Sequence, residues 1–373
     1  MNKKNKFDFF ELLNSKVIKS LKLRYDKQNM FKAIKGFKNQ ISESFAIESD
    51  WYEKNKKILN SIMSNKIDSI LVCGMGGSAI GGEVARTMLI DKLLVPISIN
   101  RSNSIPNWVN DRTLVMILSY SGNTYETIDS LKHSAKKTKN IIAISCQSGK
   151  IDNICLKNDY PIIHLPPKLQ PRCALGYISS IMILVLVRLK LVSSTQKIKS
   201  NLQGSISEFS EIDTLNNSSN NPMLMLSYKI YNLTPVIYGI ENSTSIASLR
   251  FKNQLQENAK MTSFCNNFPE LNHNEIESWR MPGNNFFVIW LKDQSLDEKS
   301  TIFLQKSYSL LDNLGIKQEI ICLDNGGAIP NNKIARLFKL IYFLDWVSYY
   351  AALLKGVDPI SINNIKYIKN SIQ

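Results

Sequence analysis

The run Thr113-Leu114-Val115-Met116-Ile117-Leu118 carries no charge and does not alternate polar with apolar residues. Such a strand is covered on both faces, which belongs to a parallel sheet flanked by helices rather than to a hairpin open to water. Ser119-Tyr120-Ser121-Gly122-Asn123-Thr124 follows directly. Ile128, Leu131 and Ala135 then recur at helical spacing, so a helix starts near Asn123 or Thr124. Three hydroxyls, Ser119, Ser121 and Thr124, therefore stand between the carboxyl end of a strand and the amino end of a helix. Unpaired N–H groups and the positive end of the helix dipole meet there and favour an anion. Hydroxyls add donors without fixed charge, which suits a phosphate monoester that must also leave. The plainer alternative is a helix cap, where Ser and Thr are favoured in any case.

The same pattern recurs. Strand Ser69-Ile70-Leu71-Val72-Cys73 runs into Gly74-Met75-Gly76-Gly77-Ser78-Ala79-Ile80-Gly81-Gly82 and a helix from Glu83. A G-x-G-G turn partly resembles a dinucleotide fingerprint, which would need an acidic residue at the end of the next strand. That strand, Pro96 to Asn100, ends in Asn100-Arg101, so a nicotinamide site is disfavoured. Another strand follows at 140–145. Strands alternating with helices give an α/β fold with a doubly wound parallel sheet, whose ligands bind beyond the carboxyl ends of the strands. Gly76, Gly77 and Ser78 lie on that rim with the hydroxyl loop. Farther on, Pro166-Pro167-Lys168-Leu169-Gln170-Pro171-Arg172 turns into an apolar helix. Arg172 is unfavourable to the dipole at a helix start. It is either a surface charge or the partner of an anion.

The chain divides into a helical segment (1–66), a first α/β domain (67–195), a polar linker (196–222) and a second α/β domain (223–373). The segment has helices around Phe9–Leu13, Met30–Ile41 and Trp51–Ile62. Strand Pro235 to Tyr238 with Gly239 and Ser243 sets in register with Ile70 to Ser78, a weak internal repeat. The second copy lacks the Gly-Gly, so its loop does something else. A helix Ser248–Lys260, a short strand Thr262–Phe264, a polar loop through His273 and a last helix of about Ile334–Leu354 complete the second domain. Both sheets are expected to be flavodoxin-like.

Composition narrows the function. The net charge of +15 invites nucleic acid, and residues 1–66 hold 15 Lys and Arg against 7 Asp and Glu. These are nearly all Lys in a chain crowded with Asn and Ile, without interleaved aromatics or a DNA-reading helix pair, so no nucleic-acid partner is expected. No apolar run is long enough for a membrane span, Ile181–Val187 being cut short by Arg188. The amino terminus lacks a signal core. Six scattered cysteines point to reduced thiols in a cytoplasm. Three dispersed histidines are too few for a His-rich metal site. Of these, His273 lies among Glu270, Glu275 and several Asn. It is a catalyst or a loop-ordering residue, and the acidic Glu257 is a candidate for chemistry or a solvated helix residue. The residues alone indicate a two-domain α/β protein that binds a small phosphorylated ligand.

Several motifs occur in order: Gly74 to Ala79, Ser119 to Thr124, Pro171-Arg172 with Ala174 to Tyr177, Gln256-Glu257-Asn258, Pro269 to Glu275 and Asp345 to Tyr350. Together they resemble the bifunctional phosphoglucose/phosphomannose isomerase family, built from two sugar-isomerase (SIS) domains, over about residues 50–373. The resemblance implies a metal-free and cofactor-free isomerase of hexose 6-phosphates. Ser119, Ser121 and Thr124 would hold the phosphate, and Gly76, Gly77 and Ser78 would line the sugar. Glu257 would shuttle a proton between C2 and C1 through a cis-enediolate, and Arg172 would stabilise its charge. His273 from the other subunit of a homodimer would open the ring, with Lys355 assisting. Ser348 stands where the family usually has a Thr tied to mannose 6-phosphate acceptance. Phosphoglucose activity is therefore the first expectation and phosphomannose activity the second. A non-catalytic sugar-phosphate sensor is the alternative, but it would have no use for both Glu257 and His273.

Overall fold

The computed structural model describes residues 15–217, 220–281, 285–323 and 332–370. Phe9–Leu13 lie outside them. The chain forms two compact units, one of Lys35–Ile206 and one joining the residues up to Ile34 to those from Ser207 onward.

In the first unit, β1 (Ser69–Gly74), β2 (Ile97–Asn100), β3 (Thr113–Ser119), β4 (Ile141–Ser145) and β5 (Ile162–His164) form one sheet in the order β2-β1-β3-β4-β5. Every pairing is parallel. All of β3 is buried, as its unbroken apolar run requires. Leu71, Val115, Ile117, Ile141 and Ala143 meet Ile128 and Leu131 of helix Tyr125–Ser134 in one apolar cluster. The order reverses between β1 and β3, which is the switch point of a flavodoxin-like sheet.

The second unit holds β6 (Thr234–Ile240), β7 (Phe264–Phe268), β8 (Phe286–Leu291) and β9 (Gln318–Ile321), all parallel in the order β7-β6-β8-β9. Numbered within each unit, both sheets begin 2-1-3-4, so the weak sequence repeat is a repeat of topology. The switch point of the second sheet is filled by side chains. Thr244 Oγ1 accepts the Ile240 N–H at 2.9 Å and donates to the Leu291 carbonyl at 2.6 Å. Ser243 donates to Asp293, which also pairs with Arg336 at 3.1 Å. Burial would raise the Asp293 carboxyl, but hydrogen bonds from Ser243 and Ser295 and the Arg336 charge hold it below the ordinary range.

Four features differ from the sequence expectation. Residues 196–222 are not an open linker: helices Thr195–Gly204 and Glu208–Asn216 occupy most of them, and Asn221 caps helix Pro222–Ile230. Ile198, Leu202, Phe209 and Ile212 of these helices are all buried. The helical segment is also not one body. Gly36 separates Met30–Lys35 from the long helix Phe37–Ser64. The first of these belongs to the second unit, where Asp26 Oδ2 accepts the Tyr349 hydroxyl at 3.1 Å. The second belongs to the first unit, where Glu48 takes Arg188 through both carboxylate oxygens.

The strand expected at Thr262–Phe264 instead spans Phe264–Phe268. Ser263 is tied back to the preceding helix by Gln256 Nε2 on its carbonyl and by its own hydroxyl on the Lys252 carbonyl. Finally, helix Lys333–Lys355 is long and apolar enough to cross a membrane although charged residues interrupt its apolar run; its apolar window is wholly buried inside the second unit. Lys339 meets Glu211 at 2.5 Å and Asp345 meets Arg250 at 2.7 Å along it.

Candidate active site

The hydroxyl loop leaves β3 at the switch point. Gly122 turns the chain with φ +67°, and its N–H bonds the Ser119 carbonyl at 3.0 Å. The hydroxyls of Ser119 and Ser121 approach Thr124 Oγ1 at 3.4 and 3.5 Å. Thr124 occupies the cap position of helix Tyr125–Ser134, yet its side chain makes no capping hydrogen bond. The cap reading therefore fails for Thr124. Three hydroxyls converge instead on a helix start whose first N–H groups have no intrahelical partner. Ser121 is exposed, Thr124 half-buried and Ser119 buried, so the cluster faces outward from a fixed base.

The glycine loop lies beside it. Helix Gly76–Leu89 starts after Met75 without a side-chain cap. A Cβ on Gly77 would stand 3.0 Å from the Arg172 nitrogen and Cα and from the Pro171 carbonyl oxygen, so only glycine lets the two backbones touch. Ser78, expected to line the sugar, is buried, and its hydroxyl accepts the Tyr120 N–H at 3.2 Å. It braces the hydroxyl loop from behind. The Tyr120 hydroxyl donates to the Pro166 carbonyl at 2.6 Å and accepts the Leu169 N–H at 3.0 Å, which fixes the proline-rich turn. Arg172 is buried in a 3-10 turn, Pro171–Cys173, held by Gln40 Nε2 on the Cys173 carbonyl at 2.7 Å. Hence the glycine, hydroxyl and Pro-Arg segments, remote in sequence, form one bonded rim. Gly77→Ala is expected to push the Arg172 turn aside and, on the hexose 6-phosphate expectation from the sequence, to lower kcat/KM by about tenfold or more. Steady-state kinetics beside a melting curve would check it, and unchanged kcat/KM would refute the contact's importance.

Glu257 is half-buried near the end of helix Ser245–Ala259. It borders a cavity of about 480 Å³ with Asn253, Gln256, Lys260, Ser361 and Ile362. That volume suits a small polar ligand. Lys355 is exposed at the last turn of helix Lys333–Lys355, which ends at Gly356 with φ +69°. Ser348, expected to face substrate, is fully buried. Its hydroxyl accepts from Asn258 Nδ2 at 3.0 Å and donates to the Asp345 carbonyl at 2.7 Å. Its reach to the cavity runs through Asn258, the neighbour of Glu257.

His273 is exposed in the short turn Glu270–His273 after β7. The acids around it organise the loop. Glu270 accepts from Asn274 at 3.1 Å, and Glu275 takes the Tyr238 hydroxyl and the Asn266 amide, each at 2.6 Å. Glu257 and His273 lie towards opposite ends of the edge strand β7 of the second sheet. The helix carrying Glu257 runs back from the end of β6 to the start of β7, whereas His273 follows the end of β7. A strand and its returning helix thus separate them within one chain.

The other two histidines and the buried thiols have partners or packing of their own. His133 is exposed and touches the Asn103 carbonyl, and His164 Nε2 meets Asp152 at 2.7 Å. Burial pushes the Cys73 thiol up to about 11 and the Cys155 thiol up to about 12, which suits packing rather than nucleophilic attack. Among the described residues, no three His, Cys, Asp or Glu side chains gather as a metal set. Arg250 and Gln254 were not singled out from the sequence. They share the buried face of the Glu257 helix with Phe251, Leu255 and Asn258, and polar residues on such a face are the signal that could have marked them.

Comparison with known proteins decides the family. Residues 219–372 match the model of the bacterial phospho-glucose isomerase C-terminal SIS domain. Over 350 residues, 92% of this chain and 98% of the relative, the sequence is 32% identical to a bifunctional phosphoglucose/phosphomannose isomerase from Caldicellulosiruptor bescii. The chain belongs to the bifunctional phosphoglucose/phosphomannose isomerase family. A second isomerase of this family, from Thermoplasma volcanium, is 30% identical over 84% of this chain and 94% of its own. Among solved structures, the C-terminal domain of glucosamine-fructose-6-phosphate aminotransferase from Francisella tularensis superposes with a TM-score of 0.70 at 18% identity, covering 91% of this chain and 98% of that one. That likeness speaks for the fold alone, two parallel-sheet SIS domains.

Proposed function

We propose that this chain is a metal-independent aldose–ketose isomerase that interconverts glucose 6-phosphate and fructose 6-phosphate, and mannose 6-phosphate and fructose 6-phosphate. The observation that carries the reading is the convergence of Ser119 and Ser121 on Thr124 at an uncapped helix start. It stands in a chain of the isomerase family.

In this reading the hydroxyls and helix N–H groups hold the phosphate and leave C1 and C2 for reaction. Glu257 takes the C2 proton of the open-chain aldose. The bonding pair becomes the C1–C2 double bond of a cis-enediolate, and the proton is returned to C1 while the hydroxyl proton passes from O2 to O1. Removing a proton beside a carbonyl needs a positioned carboxylate and a cation for the developing oxyanion, the part given to Arg172. The partner subunit's His273 opens the pyranose ring in a homodimer, and Lys355 assists. What supports a histidine from the partner is the placing of Glu257 and His273 towards opposite ends of β7. A reducing cytoplasm fits the scattered thiols.

The test is a coupled assay of the purified protein on fructose 6-phosphate in EDTA, with glucose 6-phosphate and mannose 6-phosphate read separately. Both products are expected. Formation of neither would overturn the isomerase reading, and loss of activity in EDTA would overturn metal independence.

A further inference from the structure

Helix Ser245–Ala259 ends on Lys260, whose backbone is left-handed at φ 55°, ψ 36°. The Met261 N–H returns to the Leu255 carbonyl at 3.1 Å, so the helix closes in the manner usually given to glycine. A lysine there is more strained than a glycine would be. Its side chain shows what the lysine adds. Lys260 Nζ donates to the carbonyls of Glu257 at 2.8 Å, Asn258 at 3.2 Å and Asp358 at 2.7 Å. An ammonium has three donors, and these three carbonyls match them.

The first two bonds alone would be an ordinary cation at a helix carboxyl end. The third is different. Asp358 lies in the turn after Lys355, and that turn is itself pinned: the Asp358 carboxylate accepts the Ile360 N–H at 2.8 Å and Gln28 Nε2 at 3.1 Å. Lys260 also borders the cavity beside Glu257. One ammonium therefore ties the last turn of the helix bearing Glu257 to the turn that follows Lys355.

We propose that Lys260 is a positioning residue that fixes Glu257, at the edge of the cavity, relative to the turn that follows Lys355. The proposal rests on the reading of Glu257 as the proton-transferring base. It assigns Lys260 no contact with the reacting atoms: its ammonium is engaged by main-chain oxygens, and its effect falls on the transition state through the placing of Glu257.

The Lys260→Gly variant separates this role from plain stability, because glycine relieves the left-handed backbone while removing the ammonium. The expected result on fructose 6-phosphate is a kcat lower by about tenfold or more, KM within about twofold, and a melting temperature kept or raised. Lys260→Met, which keeps the backbone strain and the aliphatic stem, should show the same kcat loss. In a Glu257→Gln background, Lys260→Gly should cause no further loss. Unchanged kcat in the Gly variant overturns the proposal. So does a raised KM with kcat kept, which would make Lys260 a substrate contact, and so does a loss in Met with none in Gly, which would trace the effect to the backbone. Full activity of Glu257→Gln by itself would instead overturn the base assignment, so the two failures are distinguishable.

Discussion

Replacing Glu257 with glutamine lowers kcat by about 10² to 10⁴ while leaving the grip on the phosphate nearly intact. The amide keeps the size of the side chain and removes its ability to accept the C2 proton. The phosphate contact is proposed for the hydroxyl loop, whose bonds are made among Ser119, Ser121 and Thr124 themselves. KM, or inhibition by a non-reacting hexitol 6-phosphate, should therefore move by less than about threefold. Deuterium at C2 of glucose 6-phosphate gives a second readout, since its exchange with solvent should slow in parallel with kcat. Unchanged turnover would remove Glu257 from the chemistry. A large rise in KM with kcat kept would make it a binding group instead.

Asp345→Ala destabilises the second unit by about 3–5 kcal/mol. Arg250 donates to both Asp345 oxygens, from Nε at 3.0 Å and from Nη2 at 2.7 Å, and Gln254 adds a bond at 3.2 Å. The side chains of Arg250 and Asp345 are only 4% and 5% exposed, so removing the carboxylate takes the counter-charge from a guanidinium held away from water. A melting-temperature drop on the order of 10 °C follows for a unit of this size. The double change Arg250→Met with Asp345→Leu should recover most of it, because neither charge is then left alone. A loss below about 1 kcal/mol in the single variant would mean that solvent reaches the arginine. The Asp345 main-chain carbonyl that takes the Ser348 hydroxyl is kept in this variant, so the loss is read in stability.

The contrast between these residues marks how far the sequence could be read. Hydroxyls placed between a buried strand and a helix declare themselves by local pattern, because the apolar run and the helical spacing on either side are contiguous. Arg172 was noticeable for a similar reason, as a cation at a helix start. Ser78 and Ser348 were placed on the substrate by resemblance, and packing gives each another partner. A hydroxyl bonds whatever its fold brings near, and for Ser348 that is an amide 90 residues away. The polar stretch 196–222 misled in the opposite direction. The helices there are anchored by a few buried apolar residues, Ile198 with Leu202 and Phe209 with Ile212, set among many polar ones.

By itself, the sequence determined the parallel strands, the two loops at the switch point of the first sheet and the repetition of the unit. Each follows from spacing within a dozen or so neighbouring residues, where backbone geometry and one-sided burial leave a periodic trace. Only the tertiary structure decided that residues 15–34 pack with the second unit and that Gly77 lies on the Arg172 backbone. It also decided that Lys260 meets Asp358, 98 residues further along. Such contacts join elements whose own patterns are complete without each other. Periodicity shows which face of an element is buried, and the partner on that face is chosen by shape and hydrogen-bond matching once the elements come together.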